Sequence, residues 1–282
     1  MVDRLEGLLG HFSVSARTFQ AGPLCGINTL DGSLPYGQLH LLRQGEAEVW
    51  HGSTRAHRLA GPTLLFYPRP LAHRFVTDQA QGAEFVCAHI VFEGHAANPL
   101  ASALPSCVCL PLANLPDCVP ILTLLFAEAQ ATNCGRQAML DRLFEVLLIQ
   151  LLRHLMELGS TQAGLITGLA HPQLRHALAA IHQTPAQPWS VESLASLAGM
   201  SRSVFANQFR EVVGETPAGY LQRWRIGLAQ KWLKNGQPLR LIAEEAGYSS
   251  EPALSRAFKS QCGLSPKAWL AQEQQRSLDA RR

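Results

Sequence analysis

The sequence predicts a multidomain α+β protein, with an N-terminal β-barrel, a helical segment in the middle and an all-α C-terminal domain holding two helix-turn-helix motifs. Three observations carry that prediction. Short alternating or apolar runs bounded by glycine and proline fill Gly37 to Phe92, a long apolar helical pattern follows, and one helix-turn-helix pattern occurs twice near the end. At 282 residues the chain has room for two compact units, each with its own core. Its 47% hydrophobic and 16% charged residues place it among globular rather than disordered chains.

The opening "MVDRLEGLLGHFSVSARTFQ" carries Asp3 and Glu6 and has no apolar core of a signal peptide, which argues against secretion. The most apolar run, "LFEVLLIQLLRHLMEL", is interrupted by Glu145, Gln150, Arg153 and His154, so it reads as a buried amphipathic helix and not a membrane span. A cytoplasmic protein with no membrane partner is the expectation. Seven cysteines, an odd number, then read as reduced thiols used for packing, metal binding or redox chemistry.

In the N-terminal part, "GQLHLLRQGEAEVWHG", "GPTLLFYPRPLAHRF" and "AEFVCAHIVF" suit strands of a small barrel or jelly roll. Residues from about Leu112 to Gly168 read as helical. There Leu140, Leu143, Phe144, Leu147, Leu148, Leu151, Leu152 and Leu155 cover more than one narrow stripe, so one side can cover the barrel and another can face a second subunit. A homodimer is the natural consequence. "GSTQAGLITGLAHPQ" reads as a hinge. The expected division is residues 1–111 for the barrel, 112–171 for the helical dimerisation segment and hinge, and 172–282 for the C-terminal domain.

That C-terminal domain contains the repeat. Ala195, Ala198, Gly199 and Ser201 fall 48 residues before Ala243, Ala246, Gly247 and Ser249. Phe209, Arg210, Gly214, Pro217 and Leu221 fall 49 before Phe258, Lys259, Gly263, Pro266 and Leu270, which places one extra residue near Glu251 to Ala253. In the first copy Ser190 caps a helix from Val191 that turns Val191, Leu194, Leu197 and Ala198 inward, and Gly199 makes the turn. Ser201 then caps a second helix with Phe205, Phe209 and Val212 inward, ended by Gly214. In the second copy Gly247 turns, Ser249 caps, and Leu254 and Phe258 precede Gly263. Between them, "PAGYLQRWRIGLAQKWLKN" makes a helix of about 28 Å, a length that suits two readers set into successive grooves of a duplex, about 34 Å apart. Charge points the same way: from Pro172 onward there are 14 Lys+Arg against 8 Asp+Glu, and all lysines lie there, while the earlier residues carry an acidic excess.

"WSVESLASLAGMSRSVFANQFREVVGETPAGYLQRWRI" followed by "IAEEAGYSSEPALSRAFKSQCGLSPKAW" resembles the DNA-binding domain of AraC/XylS-type transcription regulators, over about 100 residues. Leu254 stands where that family usually has Phe, and Trp269-Leu270 where it commonly has Tyr-Arg; neither removes a core-sized group. By position in the resemblance, Arg202, Ser203, Ala206 and Asn207 of the first recognition helix, and Ser250, Glu251, Pro252 and Arg256 of the second, face bases. Asn207 suits an adenine edge, Arg256 guanine O6/N7 and Glu251 cytosine N4. Arg210 and Lys259, a turn further along, suit phosphates.

"GPTLLFYPRPLAH" and "VCAHIVFEGHAANPLASALPSCVCLP" resemble the cupin-like effector domain found N-terminally in one group of these regulators, with Pro62 in place of the usual Asp. The His-x-His of metal-dependent cupin enzymes is absent, since Leu41 and Leu42 follow His40. Cys25, His40, His73 and Cys87 stand at positions the resemblance marks. Two thiolates and two imidazoles are the ligand set of a tetrahedral zinc site, with Cys25 and Cys87 as the redox candidates; buried thiols and satisfied imidazoles are the other reading. His51, His57, His89 and His95 read as surface or packing residues. The Cys107-x-Cys109 pair lacks a second pair for metal, and Cys118, Cys134 and Cys262 read as packing.

The resemblance implies a regulator, an activator in most of the family, that binds promoter DNA and works with RNA polymerase; if the four Cys and His residues meet, thiol chemistry would make it answer to an oxidant through thiol oxidation or metal release. A small organic effector in the cupin cavity is the alternative. A metal-dependent cupin enzyme with a nucleic-acid-binding appendage is a rival of another class, disfavoured by the missing His-x-His and by the lack of an acid/base pair beside Cys87. A static nucleoid-binding protein would leave the barrel unexplained. No catalysis is expected.

Overall fold

A computed structural model describes residues 2–94, 98–159 and 163–279, the last four as backbone only. The chain forms two compact units, Ser13–Leu158 and, together, Met1–Phe12 with Gly159–Arg282. The division differs from the expected one at both junctions.

The Ser13–Leu158 unit is a two-sheet antiparallel barrel. Its strands are β1 (Val14–Leu24), β2 (Ile27–Leu30), β3 (Gly37–Gln44), β4 (Ala47–His51), β5 (Thr54–Leu59), β6 (Thr63–Tyr67), β7 (His73–Val76), β8 (Ala83–Phe92) and β9 (Val108–Pro111). One sheet runs β1-β8-β3-β6-β9 and the other β2-β7-β4-β5. Leu42, Val49, Leu65, Tyr67, Phe75, Phe85 and Cys87 fill the interior. β3 is buried from Gly37 to Leu42 on both faces, so Leu39, Leu41 and Leu42 are enclosed together with the polar Gln38 and His40.

Helices α3 (Val119–Gln130) and α4 (Arg136–Leu158) belong to this unit and pack on β1; a shorter helix, α2 (Pro99–Ala103), precedes them. β1 is an edge strand, so its outward backbone groups need partners. The Thr18 N–H donates to Asp141 at 2.6 Å and the Ala16 N–H to Glu145 at 3.2 Å, while Gln137 Nε2 donates to the Thr18 carbonyl at 2.9 Å. The polar side of α4 thus closes the sheet edge. Leu140, Leu143, Phe144, Leu147, Leu148, Leu151, Leu152 and Met156 of α4 are buried.

The other unit is all-helical: α1 (Glu6–His11), α5 (Leu165–Ala170), α6 (Leu174–Gln183), α7 (Val191–Leu197), α8 (Arg202–Val213), α9 (Pro217–Lys234), α10 (Leu239–Glu245), α11 (Glu251–Cys262) and α12 (Pro266–Asp279). α1 was not anticipated. Its Leu8 and the adjoining Leu5 and Phe12 are buried, with the Phe12 ring edge-on to Trp224 at 5.2 Å. Gly7 lies so close to His182 that an added Cβ would come within 2.8 Å of it. The expected hinge is largely structure as well: residues 160–162 lie outside the described residues, but Leu165, Ile166 and Leu169 of α5 are buried. A side chain at Gly168 would meet Leu178 at 2.7 Å. Gly168 there serves close helix packing.

The two helix-turn-helix motifs are α7–α8 and α10–α11, packed on α9, whose 18 residues span about 27 Å. Ser190 and Ser193 form a capping box on α7, Ser201 caps α8, and Thr216 caps α9 ahead of Pro217. In the second motif the cap is Ser250 and not Ser249. The extra residue therefore lies in the turn before α11, where a loop absorbs it without shifting the helical stripe. Two inward assignments also change: Val213 is buried where Val212 is half-buried, and Leu197 is 45% exposed. Among the described residues no helix is long and apolar enough to cross a membrane.

Candidate functional site

The two helices expected to read bases have equivalent cores. In α8, Phe205, Phe209 and Val213 point inward, and Phe209 meets Tyr220 of α9 at 5.7 Å. In α11, Leu254 and Phe258 point inward, and Phe258 meets Trp269 at 5.6 Å. Burying one stripe leaves the opposite one to solvent, and there Ser203, Asn207 and Arg210 of α8 and Glu251, Pro252, Arg256 and Lys259 of α11 are all exposed. Asn207 and Arg256 occupy the same place in the repeat, and neither has a hydrogen-bond partner among the described residues.

Three of the expected base-facing residues are engaged otherwise. Arg202 Nε forms an ion pair with Glu192 of α7 at 2.7 Å. Ser250 accepts the Ala253 N–H as the cap of α11. Ala206 is half-buried at the margin of its stripe. The Ser250 oxygen holds the helix terminus, so it is a positioning group for the reader.

The barrel interior brings together some of the expected ligands and separates others. His40 on β3 and His73 on β7 face each other with their Nε2 atoms 3.1 Å apart. His73 Nδ1 lies 2.8 Å from the Leu71 carbonyl, so it carries the proton and donates. His73 Nε2 is then the acceptor for a proton on His40 Nε2, which leaves His40 Nδ1 a bare lone pair, and that atom has no partner among the described residues. Both imidazoles are neutral. Burial holds His40 well below the ordinary histidine range, and burial pushes His73 down to about 4.

Cys87 is the cross-strand neighbour of His40 and is wholly buried in the apolar core. Burial pushes its thiol far up, so it is a neutral thiol and not the reactive anion. Cys25 is exposed and follows Leu24, the partner of Ala83, whereas Cys87 pairs with Gln20. That register separates the two sulfurs by roughly 15 Å of strand. Among the described residues no group of three or more His, Cys, Asp or Glu side chains is placed to hold a metal ion. The tetrahedral zinc set of Cys25, His40, His73 and Cys87 is therefore not assembled.

Residues read as bland form a polar network instead. His51 Nε2 lies 2.8 Å from Tyr67 Oη, the His73 ring stacks on Tyr67 at 4.3 Å, and His57 Nε2 lies 3.6 Å from Cys107 Sγ. Burial pushes the Cys107 thiol up to about 11, with Cys109 adding to the rise. His89 stacks on Phe19 at 4.2 Å, Cys118 is buried, Cys134 is exposed, and His95 lies outside the described residues.

Comparison with known proteins follows the same division. Residues 3–157 match the family model described as Cupin, and residues 194–272 match the one described as Helix-turn-helix domain. The HTH-type transcriptional regulator AlkR of Acinetobacter baylyi is 42% identical over 268 residues, spanning 83% of this chain and 87% of that protein. The chain belongs to the AraC/XylS-type transcription regulators with an N-terminal cupin domain. The RCS-specific HTH-type transcriptional activator RclR of Escherichia coli is 28% identical over 251 residues, 84% of this chain and 87% of that one. The DNA-binding domain of AdpA, solved with a target DNA, is 31% identical, covering 38% of this chain and 96% of that one at a TM-score of 0.36.

In this AraC/XylS-type regulator the residue that sequence reading missed is Arg225. From the middle of α9 its Nε donates to the Pro185 carbonyl and its Nη2 to the Gln187 carbonyl, both at 2.8 Å, while its guanidinium lies 5.8 Å from the Tyr248 ring. Gly247, with φ +74°, packs into the same place; a Cβ there would come within 2.7 Å of the Ala186 carbonyl. The segment before the first motif and the turn of the second are thus held to one guanidinium. Nothing local distinguishes an arginine in a helix that does this from one that faces water.

Proposed function

We propose that this regulator binds promoter DNA through α8 and α11 together and that its cupin barrel sets that binding in response to an effector. Asn207 and Arg256 carry the reading: they stand at equivalent positions of two separately capped helices, exposed and unengaged. Asn207 reads adenine, Arg256 reads guanine, Glu251 accepts from cytosine N4, and Ser203 and Pro252 complete the base-facing surface, with Ala206 at its margin. Arg210 and Lys259 hold phosphates, and Arg202 joins them when it leaves Glu192. Arg256→Ala is expected to weaken binding to a selected site by about 1–3 kcal/mol and relax base preference, while Lys259→Ala weakens all duplexes alike. Equal loss across all duplexes for both variants, measured by fluorescence anisotropy, would contradict the assignment.

The finer parts of the proposal concern assembly and control. Val119 and Leu124 of α3 and Met139 and Val146 of α4 are exposed apolar residues that support a homodimer; in this reading the dimer acts as an activator that recruits RNA polymerase. Val146→Asp should give a monomer in sedimentation; an unchanged dimer would rule out that face. For the sensor, the separation of Cys25 from Cys87 weighs against zinc release by their joint oxidation. The bare His40 Nδ1 inside the barrel favours a small organic effector with a hydrogen-bond donor. Operator binding should then respond to such a ligand and lose that response in His40→Leu; a response to oxidant that vanishes in Cys25→Ser would restore the redox reading.

A further inference from the structure

One exposed residue on α8 has no place in the contacts described above. Val204 is 52% exposed, although it stands in a 12-residue helix whose Phe205, Phe209 and Val213 are buried. A β-branched residue on the wet side of a helix gains nothing from packing and lowers helix propensity. At 100° per residue Val204 lies three positions from Asn207, so the two side chains are neighbours on the solvent face, about 5–6 Å apart at their Cβ atoms. An amide beside a branched apolar group matches one feature of a major groove: adenine presents N7 and N6 for an amide, and its partner thymine presents the C5 methyl for an apolar side chain.

We propose that Val204 is a specificity-determining residue that reads a thymine C5 methyl in the base pair read by Asn207 or the one beside it, so that α8 selects an A·T step. The inference rests on α8 being a major-groove reader. It does not extend to the second motif: Ala253, the counterpart of Val204, is smaller and half-buried, and Arg256 stands where Asn207 does. α8 therefore reads A·T through an amide and a methyl contact, and α11 reads G·C through charge. The operator is then an unequal pair of half-sites rather than two copies of one sequence.

The test uses the full chain and a duplex selected by it from random sequence. Each thymine of that duplex is replaced in turn by deoxyuridine, which removes only the methyl. For the wild-type chain, replacement at one or two thymines should weaken binding about fourfold, the effect of one buried methyl. Val204→Ala should bind the thymine duplex about fourfold less well and bind the deoxyuridine duplex equally. Because Val204 is exposed and alanine has the higher helix propensity, the variant should unfold at or slightly above the wild-type temperature, which separates a lost contact from a lost fold. A duplex with no thymine whose replacement matters, or a deoxyuridine effect that persists undiminished in Val204→Ala, overturns the proposal. Failure of the selection to enrich any sequence would instead overturn the reading of α8 as a base reader.

Discussion

His182 is wholly buried in the C-terminal unit, its Nε2 2.6 Å from Tyr220 Oη and its Nδ1 without a partner among the described residues. Burial pushes its pKa down to about 3, with His11 and Arg223 adding to the fall, as burial pushes His73 in the barrel down to about 4. Both folded values lie below the unfolded value of 6.5, so between them the unfolded chain binds protons that the folded chain does not. Stability from each group is complete above about pH 6.5 and is lost as pH falls toward about 4 for His73 and about 3 for His182. Urea unfolding at pH 5 against pH 7.5 should show a loss of about 2 kcal/mol per group. His182→Gln should flatten this slope for the C-terminal unit and leave that of the barrel unit; an unchanged slope would remove His182 as its source. The same scale shows the limit of sequence reading. His40 and His73 stand out by position in a family pattern, whereas His51 and His57 read as surface or packing residues and nothing in the sequence singles out His182, because a histidine's burial is set by distant chain.

At the scale of elements, α9 links the two motifs and Arg225 fixes them to each other. A salt-free, geometric role makes a distinct prediction. Arg225→Met keeps the apolar stem but removes both carbonyl contacts, so each motif should retain its helix content by circular dichroism. Binding to a duplex with both half-sites should fall about tenfold, the loss of a charged hydrogen bond or so, while binding to a single half-site should not change. Equal loss on both duplexes would show that Arg225 acts on one motif alone. The helices themselves were legible because their signals are local: capping serines, Pro217 at a first turn, Gly214 and Gly263 at helix ends. The extra residue of the second copy was misplaced by a few positions, since alignment cannot tell whether a helix or the turn before it absorbs an insertion.

For the whole molecule, the first dozen residues are covalently next to the barrel yet belong to the DNA-binding unit. Beyond Phe12 against Trp224, Arg4 Nη1 donates to the Leu169 carbonyl at 3.4 Å, Gln183 Nε2 to Glu6 at 2.9 Å and Lys231 Nζ to the His11 carbonyl at 2.5 Å. Phe12→Ala in the full chain should cost that unit about 3–5 kcal/mol and speed amide exchange in α6 and α9, with β3 and β8 unaffected. Faster exchange in the barrel instead would place α1 with the other unit.

What the residues determined unaided was the repeated reader: period, caps and turn glycines act within a few positions of one another, and twofold occurrence removed the ambiguity of each. Tertiary structure alone decided which strand borders which, that Cys25 and Cys87 end far apart, that His40 meets His73, and that α1 packs 220 residues away on α9. Those outcomes follow from burying apolar surface and pairing backbone groups over long separations, and no short window of the chain encodes them.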